Sequence, residues 1–88
     1  MSKPAHKFRD GVLQVTIWRN QSEKGHWYSV NSSRSYKDGE EWKDAAGYGP
    51  DDLLPLGELT RDAYRWIRQQ RRADREARRE KEAETAAA

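Results

Sequence analysis

The chain has no cysteine, two histidines, one methionine and one phenylalanine among its 88 residues. Without cysteine, neither a disulfide framework nor a thiolate metal centre can form. His6 and His26 show no spacing that matches a known ligand set, so neither a metal nor another cofactor is expected. No apolar run approaches the roughly 18 residues that mark a membrane span. Met1-Ser2-Lys3-Pro4-Ala5-His6 lacks the apolar stretch of a secretory signal, which makes a cytoplasmic protein without a membrane partner the expectation. A glycine-rich phosphate loop is also missing. Ser29, Ser32 and Ser33 have no histidine–acid partners at motif spacing. Asp51-Asp52 would be the one imitation of a catalytic pair, and the first turn of a helix explains it better. A non-enzymatic role follows as the expectation.

Excess charge is scarce as well. The formal net charge is +2, too little to argue for nucleic acid alone. Residues 1–50 carry eight Lys/Arg against six Asp/Glu, and residues 51–88 carry nine of each. The length suits one domain. Hydrophobic residues make up 34% and charged residues 36%, a polar balance for a small self-sufficient monomer. Partial disorder and a core shared between two copies are both expected on that ground.

What the chain does have is aromatic. Four tryptophans, four tyrosines and one phenylalanine fall between Phe8 and Trp66. So small a domain has little interior for them. Some rings therefore belong on an outer sheet face or a subunit contact, beside arginine and lysine. That mixture suits stacking on unpaired bases with phosphates held alongside. It equally suits a protein interface, where Trp, Tyr and Arg are enriched.

Residues 1–7 read as a flexible arm. A first strand is expected from Phe8 to Asn20, with Asp10-Gly11 as a bend that would divide it if a fourth strand forms. Leu13, Val15 and Ile17 alternate with Val12, Gln14, Thr16 and Trp18, which makes the first set the core face. Asn20 to Gly25 reads as a polar loop. A second strand from His26 to Lys37 puts Tyr28, Val30, Ser32, Arg34 and Tyr36 on one face and Trp27, Ser29, Asn31, Ser33 and Ser35 on the other. Asp38-Gly39 is a hairpin signal, and a third strand runs from Glu41 to Tyr48.

Gly49-Pro50-Asp51-Asp52 announces a helix, and Pro55 is tolerated within its first turn. Leu53, Leu56, Thr60, Ala63 and Ile67 recur at helical spacing, widened by Leu59 and Trp66. That stripe should pack across the apolar sheet face. Residues 68–88 keep high helix propensity but lose the stripe, so they read as a polar, charged tail, helical or disordered. Asp74–Arg78 and Arg72–Glu76 are possible i,i+4 pairs within it.

The expected fold is therefore α+β: an antiparallel meander of three to four strands followed by one long C-terminal amphipathic helix, with the domain proper at residues 8–67. The expected binding residues are the bases Arg19, Arg34, Lys37 and Lys43, for phosphates, and the rings Trp18, Trp27, Tyr36 and Trp42, for bases. Glu40, Glu41 and Asp44 surround Trp42 with acid. Arg68, Arg71, Arg72, Arg75, Arg78 and Arg79 offer an auxiliary phosphate contact or simply a solvated helix face.

Val30-Asn31-Ser32-Ser33-Arg34-Ser35-Tyr36-Lys37-Asp38-Gly39-Glu40-Glu41-Trp42-Lys43 resembles the hairpin of the transcriptional positive-cofactor family of single-stranded DNA binders. There too an arginine and an aromatic on one strand precede an Asp/Gly/Glu turn, another strand and a helix. Related ββββα modules occur in the Whirly and Pur-alpha-like families. The resemblance implies a curved antiparallel sheet backed by a helix, in a homodimer that grips single-stranded DNA or RNA with little sequence preference. The chain departs from the family before its helix, where Asp44-Ala45-Ala46-Gly47-Tyr48-Gly49 contains no base. The competing expectation is a protein-interaction or scaffold module that uses the same aromatic surface.

Overall fold

A computed structural model describes residues 3–45 and 47–87. Four antiparallel strands, β1 (His6–Asp10), β2 (Leu13–Ser22), β3 (Gly25–Asp38) and β4 (Glu41–Ala45), form a meander in the order β1-β2-β3-β4. A 3-10 turn over Pro50–Asp52 leads into one long helix, α1 (Leu53–Ala87). The chain is thus an α+β protein with a four-stranded meander sheet.

The fourth strand arises at Asp10-Gly11. Asp10 pairs with Leu13 across a two-residue turn, and Gly11 takes φ +59. A side chain is disfavoured at that angle, so glycine at the first turn position closes the hairpin. Gly39 does the same between Asp38 and Glu41, with φ +66. His6 and Lys7, expected in the arm, belong to β1, where they pair with Ile17 and Thr16. Their pairing with a central strand outweighs their polar character. Asn20 to Gly25, expected as a loop, is mostly strand. The β2–β3 ladder runs out to Ser22 and Gly25, leaving only Glu23-Lys24 as the turn. The Ser22 hydroxyl donates to the Gly25 carbonyl at 3.2 Å and accepts from the Lys24 N–H at 3.3 Å, which fastens that turn. The last strand ends at Ala45 rather than Tyr48; Ala46 lies outside the described residues.

Alternation on β2 builds the core as expected. Leu13, Val15 and Ile17 are buried against Leu59 and Ala63 of α1, and Phe8, Tyr28, Tyr48, Leu56, Trp66 and Ile67 close around them. Each fully buried aliphatic side chain of this kind stabilises the fold by roughly 1.5–3 kcal/mol. Leu53 is exposed although it lies on the expected stripe; the first helix residue packed on the core is Leu56. The helix lies over β1 and β2. Asp52 anchors its start: the carboxylate accepts the Gly49 N–H at 2.8 Å and lies 3.0 Å from the Arg34 Nε. Trp66 is held within the protomer. The His6 ring stacks on it at 5.3 Å between centroids, and Tyr28 meets it edge-on at 6.2 Å. Tyr64 is exposed, with the Arg68 guanidinium 5.6 Å from its ring centroid.

Only one layer of helix covers one face of the sheet, and the Cα envelope is accordingly 63 × 28 × 16 Å. The long dimension belongs to α1, whose 35 residues span about 52 Å at 1.5 Å each. No helix among the described residues is long and apolar enough to cross a membrane.

Candidate nucleic-acid interface

Strand parity decides which side chains can act together. Leu13, Val15 and Ile17 face the helix, so their register partners Arg34, Ser32 and Val30 do too. The alternate residues form the outer face, which no element covers among the described residues. There Trp18 pairs with Ser29, and Asn20 pairs with Trp27. Trp18 and Trp27 are therefore diagonal neighbours on adjacent strands, with their backbone positions roughly 7–8 Å apart. Trp27 is 53% exposed and Trp18 half-buried. At the other end of the same face Trp42 pairs with Lys37 and is 64% exposed. Trp42 also borders a shallow hollow with Arg9, Val12 and Ser35. Trp27 and Lys37 are ten residues apart, about 33 Å along an extended strand.

Between these ends the floor is small and polar. Arg9 donates to Gln14 Oε1 at 3.0 Å, and Gln14 Nε2 donates to Ser33 Oγ at 3.0 Å, a ladder across three strands. Asn20 Nδ2 donates to Ser29 Oγ at 3.2 Å beside the paired indoles. Thr16, flanked by Lys7 and Asn31, is buried in the middle of this floor. Asp44 is the acid on the face and accepts the Ser35 hydroxyl at 3.3 Å.

The eight expected binding residues divide between the two faces. Trp18, Trp27, Lys37 and Trp42 share the outer face. Arg19, Arg34, Tyr36 and Lys43 point to the helix side, since Arg19 pairs with Tyr28 and Tyr36 with Lys43. Each of those three bases sits beside a carboxylate. Arg19 donates to Asp74 Oδ1 at 2.6 Å, Arg34 lies beside Asp52, and Lys43 lies 3.0 Å from Asp38. Lys7 and Arg9, not among the expected residues, do belong to the outer face. The signal for them was available: they flank Phe8, so alternation sends them outward once Phe8 packs inward.

Asp74 accepts from two donors at once, Arg19 and the Tyr28 hydroxyl, the latter at 2.8 Å. It therefore clamps the helix to the β2–β3 hairpin instead of serving as the helical partner of Arg78. Burial raises the Tyr28 pKa above the ordinary value, and the Asp74 hydrogen bond and charge add to the rise; Arg19 opposes it. The neutral phenol is thus the form that the fold favours. Its contribution is fully present below the unfolded tyrosine pKa of roughly 10 and is lost as pH climbs through the higher folded value. Denaturant melts should show stability falling above that pH, with a smaller fall in Tyr28→Phe. Equal losses in both proteins would show that Tyr28 is not responsible.

No group of three or more His, Asp or Glu side chains suited to a metal ion occurs among the described residues. No family model, curated protein or solved structure matches the chain.

Proposed function

We propose that the chain binds single-stranded DNA or RNA with little sequence preference, and that bases stack on the outer sheet face. The observation that carries this reading is the diagonal pair Trp18–Trp27, left uncovered beside a floor of serine, asparagine and threonine side chains. Flat exposed rings accept any base because every base has a π-face. Small polar neighbours let a sugar–phosphate chain come close. Lys7, Arg9 and Lys37 supply charge on the same face. Arg19, Arg34 and Lys43 serve mainly to hold the fold in this reading, through their aspartates.

A homodimer is part of the proposal. The outer edge of β3 over Gly25–Ser33 carries no strand among the described residues, because β4 pairs only with Arg34–Asp38. That edge contains no lysine and no proline, the usual guards of an open strand. Pairing of two such edges would extend the stacking surface across both protomers.

The test is a titration of the full chain with a fluorescein-labelled oligothymidine over a salt series, with mass followed by light scattering. Quenching of tryptophan emission and a linear fall of log affinity with log salt are expected. Salt-insensitive binding, or no binding at low salt, returns the aromatic face to a protein-interaction role. A monomer's mass throughout removes the dimer and leaves the stacking reading intact.

A further inference from the structure

The β2–β3 hairpin tip and the exposed turns of α1 enclose a groove of about 870 Å³. Eight of its sixteen lining residues are Lys or Arg, and two are acidic. The whole chain has 17 Lys/Arg and 15 Asp/Glu, which leaves nine and thirteen elsewhere. The molecule outside the groove is therefore net negative, and the excess of positive over negative charge is found here.

The helix is arranged to do this. Arg68, Arg71, Arg72, Arg75 and Arg78 recur at three- and four-residue intervals and so form one stripe. Glu76, Glu80 and Glu84 recur at four-residue intervals on a different side. None of those five arginines enters an ion pair among the described residues; the three pairs present are Arg19–Asp74, Arg34–Asp52 and Lys43–Asp38. Acids do lie at i,i+4 spacing from some of these bases, Glu76 from Arg72 and Glu82 from Arg78, but on the helix wall of the groove Arg68, Arg71, Arg72, Arg75, Arg78 and Lys81 stand against one acid, Asp74.

We infer that this groove is a phosphate track: it takes the phosphodiester backbone of the strand whose bases stack on Trp18 and Trp27. The inference rests on the stacking reading for the identity of its ligand. Continuity supports it. His26 lines the groove, and Trp27, the next residue on β3, lies on the outer face, so one strand can pass around the hairpin edge from rings to arginines. Composition points the same way. Apart from Tyr64 and Ala77 the lining is polar, and no aliphatic residue larger than alanine follows Ile67. A membrane-surface helix and an apolar peptide groove both need such residues.

The experiment compares the wild-type chain with the triple variant Arg71→Gln, Arg75→Gln, Arg78→Gln. Glutamine keeps helix propensity, and circular dichroism checks that the fold persists. Two probes are used: labelled oligothymidine, and an abasic deoxyribose-phosphate strand of equal length. For oligothymidine the variant should lose about 2 from the salt slope, at roughly 0.7 per phosphate contact on a single strand, and should bind at least tenfold more weakly at low salt. Tryptophan quenching at saturation should be unchanged. An unaltered slope overturns the track and spares the stacking reading. Absence of quenching with wild type, while the abasic strand binds and the variant loses it, sinks the stacking reading and keeps the track. If polyglutamate displaces the abasic strand at lower concentration than a fresh abasic strand does, the groove is a site for acidic protein and the inference is wrong.

Discussion

Trp18→Ala combined with Trp27→Ala should weaken oligonucleotide binding by at least about 30-fold, since stacking contributes roughly 1–3 kcal/mol per base and 1.4 kcal/mol is tenfold. The two rings are diagonal neighbours, so their losses are expected to couple and need not add. Trp18 is half-buried and its removal also costs packing. Trp27 is 53% exposed, so Trp27→Ala alone separates ligand contact from stability. That single variant should melt within a few degrees of wild type while losing about fivefold or more in affinity. Trp42 and Trp66 remain in the double variant as emitters. Their signal should change little on oligonucleotide addition if the quenching arises at the mutated pair. Undiminished affinity in the double variant would remove the outer face from the binding site.

The largest effect on folding is expected at Ile17. It is fully buried, on the central β2, between the His6 and Val30 backbones and beneath α1. Ile17→Ala removes buried methylenes and leaves a cavity, at a cost of about 2–5 kcal/mol. A domain of this size holds on the order of 5–10 kcal/mol in total. The melting temperature should drop by roughly 10–30 °C, given 4–8 °C per kcal/mol for small domains. Val30→Ala, on the same face and paired with Ile17 but 48% exposed, should cost far less. Comparable losses at the two positions would mean that the interior is not organised around β2.

Much of the scaffold could be read from residue order. Period-two hydrophobicity at Leu13, Val15 and Ile17 and the stripe Leu56, Leu59, Ala63, Ile67 define the two sides of one interior. Asp38-Gly39 marks a hairpin because glycine accepts the positive φ there. The strands at Asn20 to Gly25 were hidden, since Ser22, Glu23 and Lys24 have turn composition and only ladder pairing holds the segment extended. The binding surface was legible in part. Alternation alone sets Arg34 and Tyr36 apart from Trp27, as the parity of β3 shows. What no local pattern discloses is where the helix crosses. The partner of Arg19 lies 55 residues away, and only the tertiary path of α1 brings Asp74 to it. The same path turns Arg68 to Arg78 from a nondescript charged stretch into one wall of a groove.

Beyond the clamp at Asp74, α1 continues for thirteen residues, Arg75 to Ala87, roughly 20 Å of rod anchored at one end only. Its heading is set by the unbroken helix that Leu59, Ala63 and Ile67 seat on the sheet, so a small tilt of that seat is multiplied at the tip. Arg78 and Arg79, its outermost guanidinium groups, stand only about 6–8 Å past the clamp, so the far part of the lever carries no arginine and serves as reach, not as a grip.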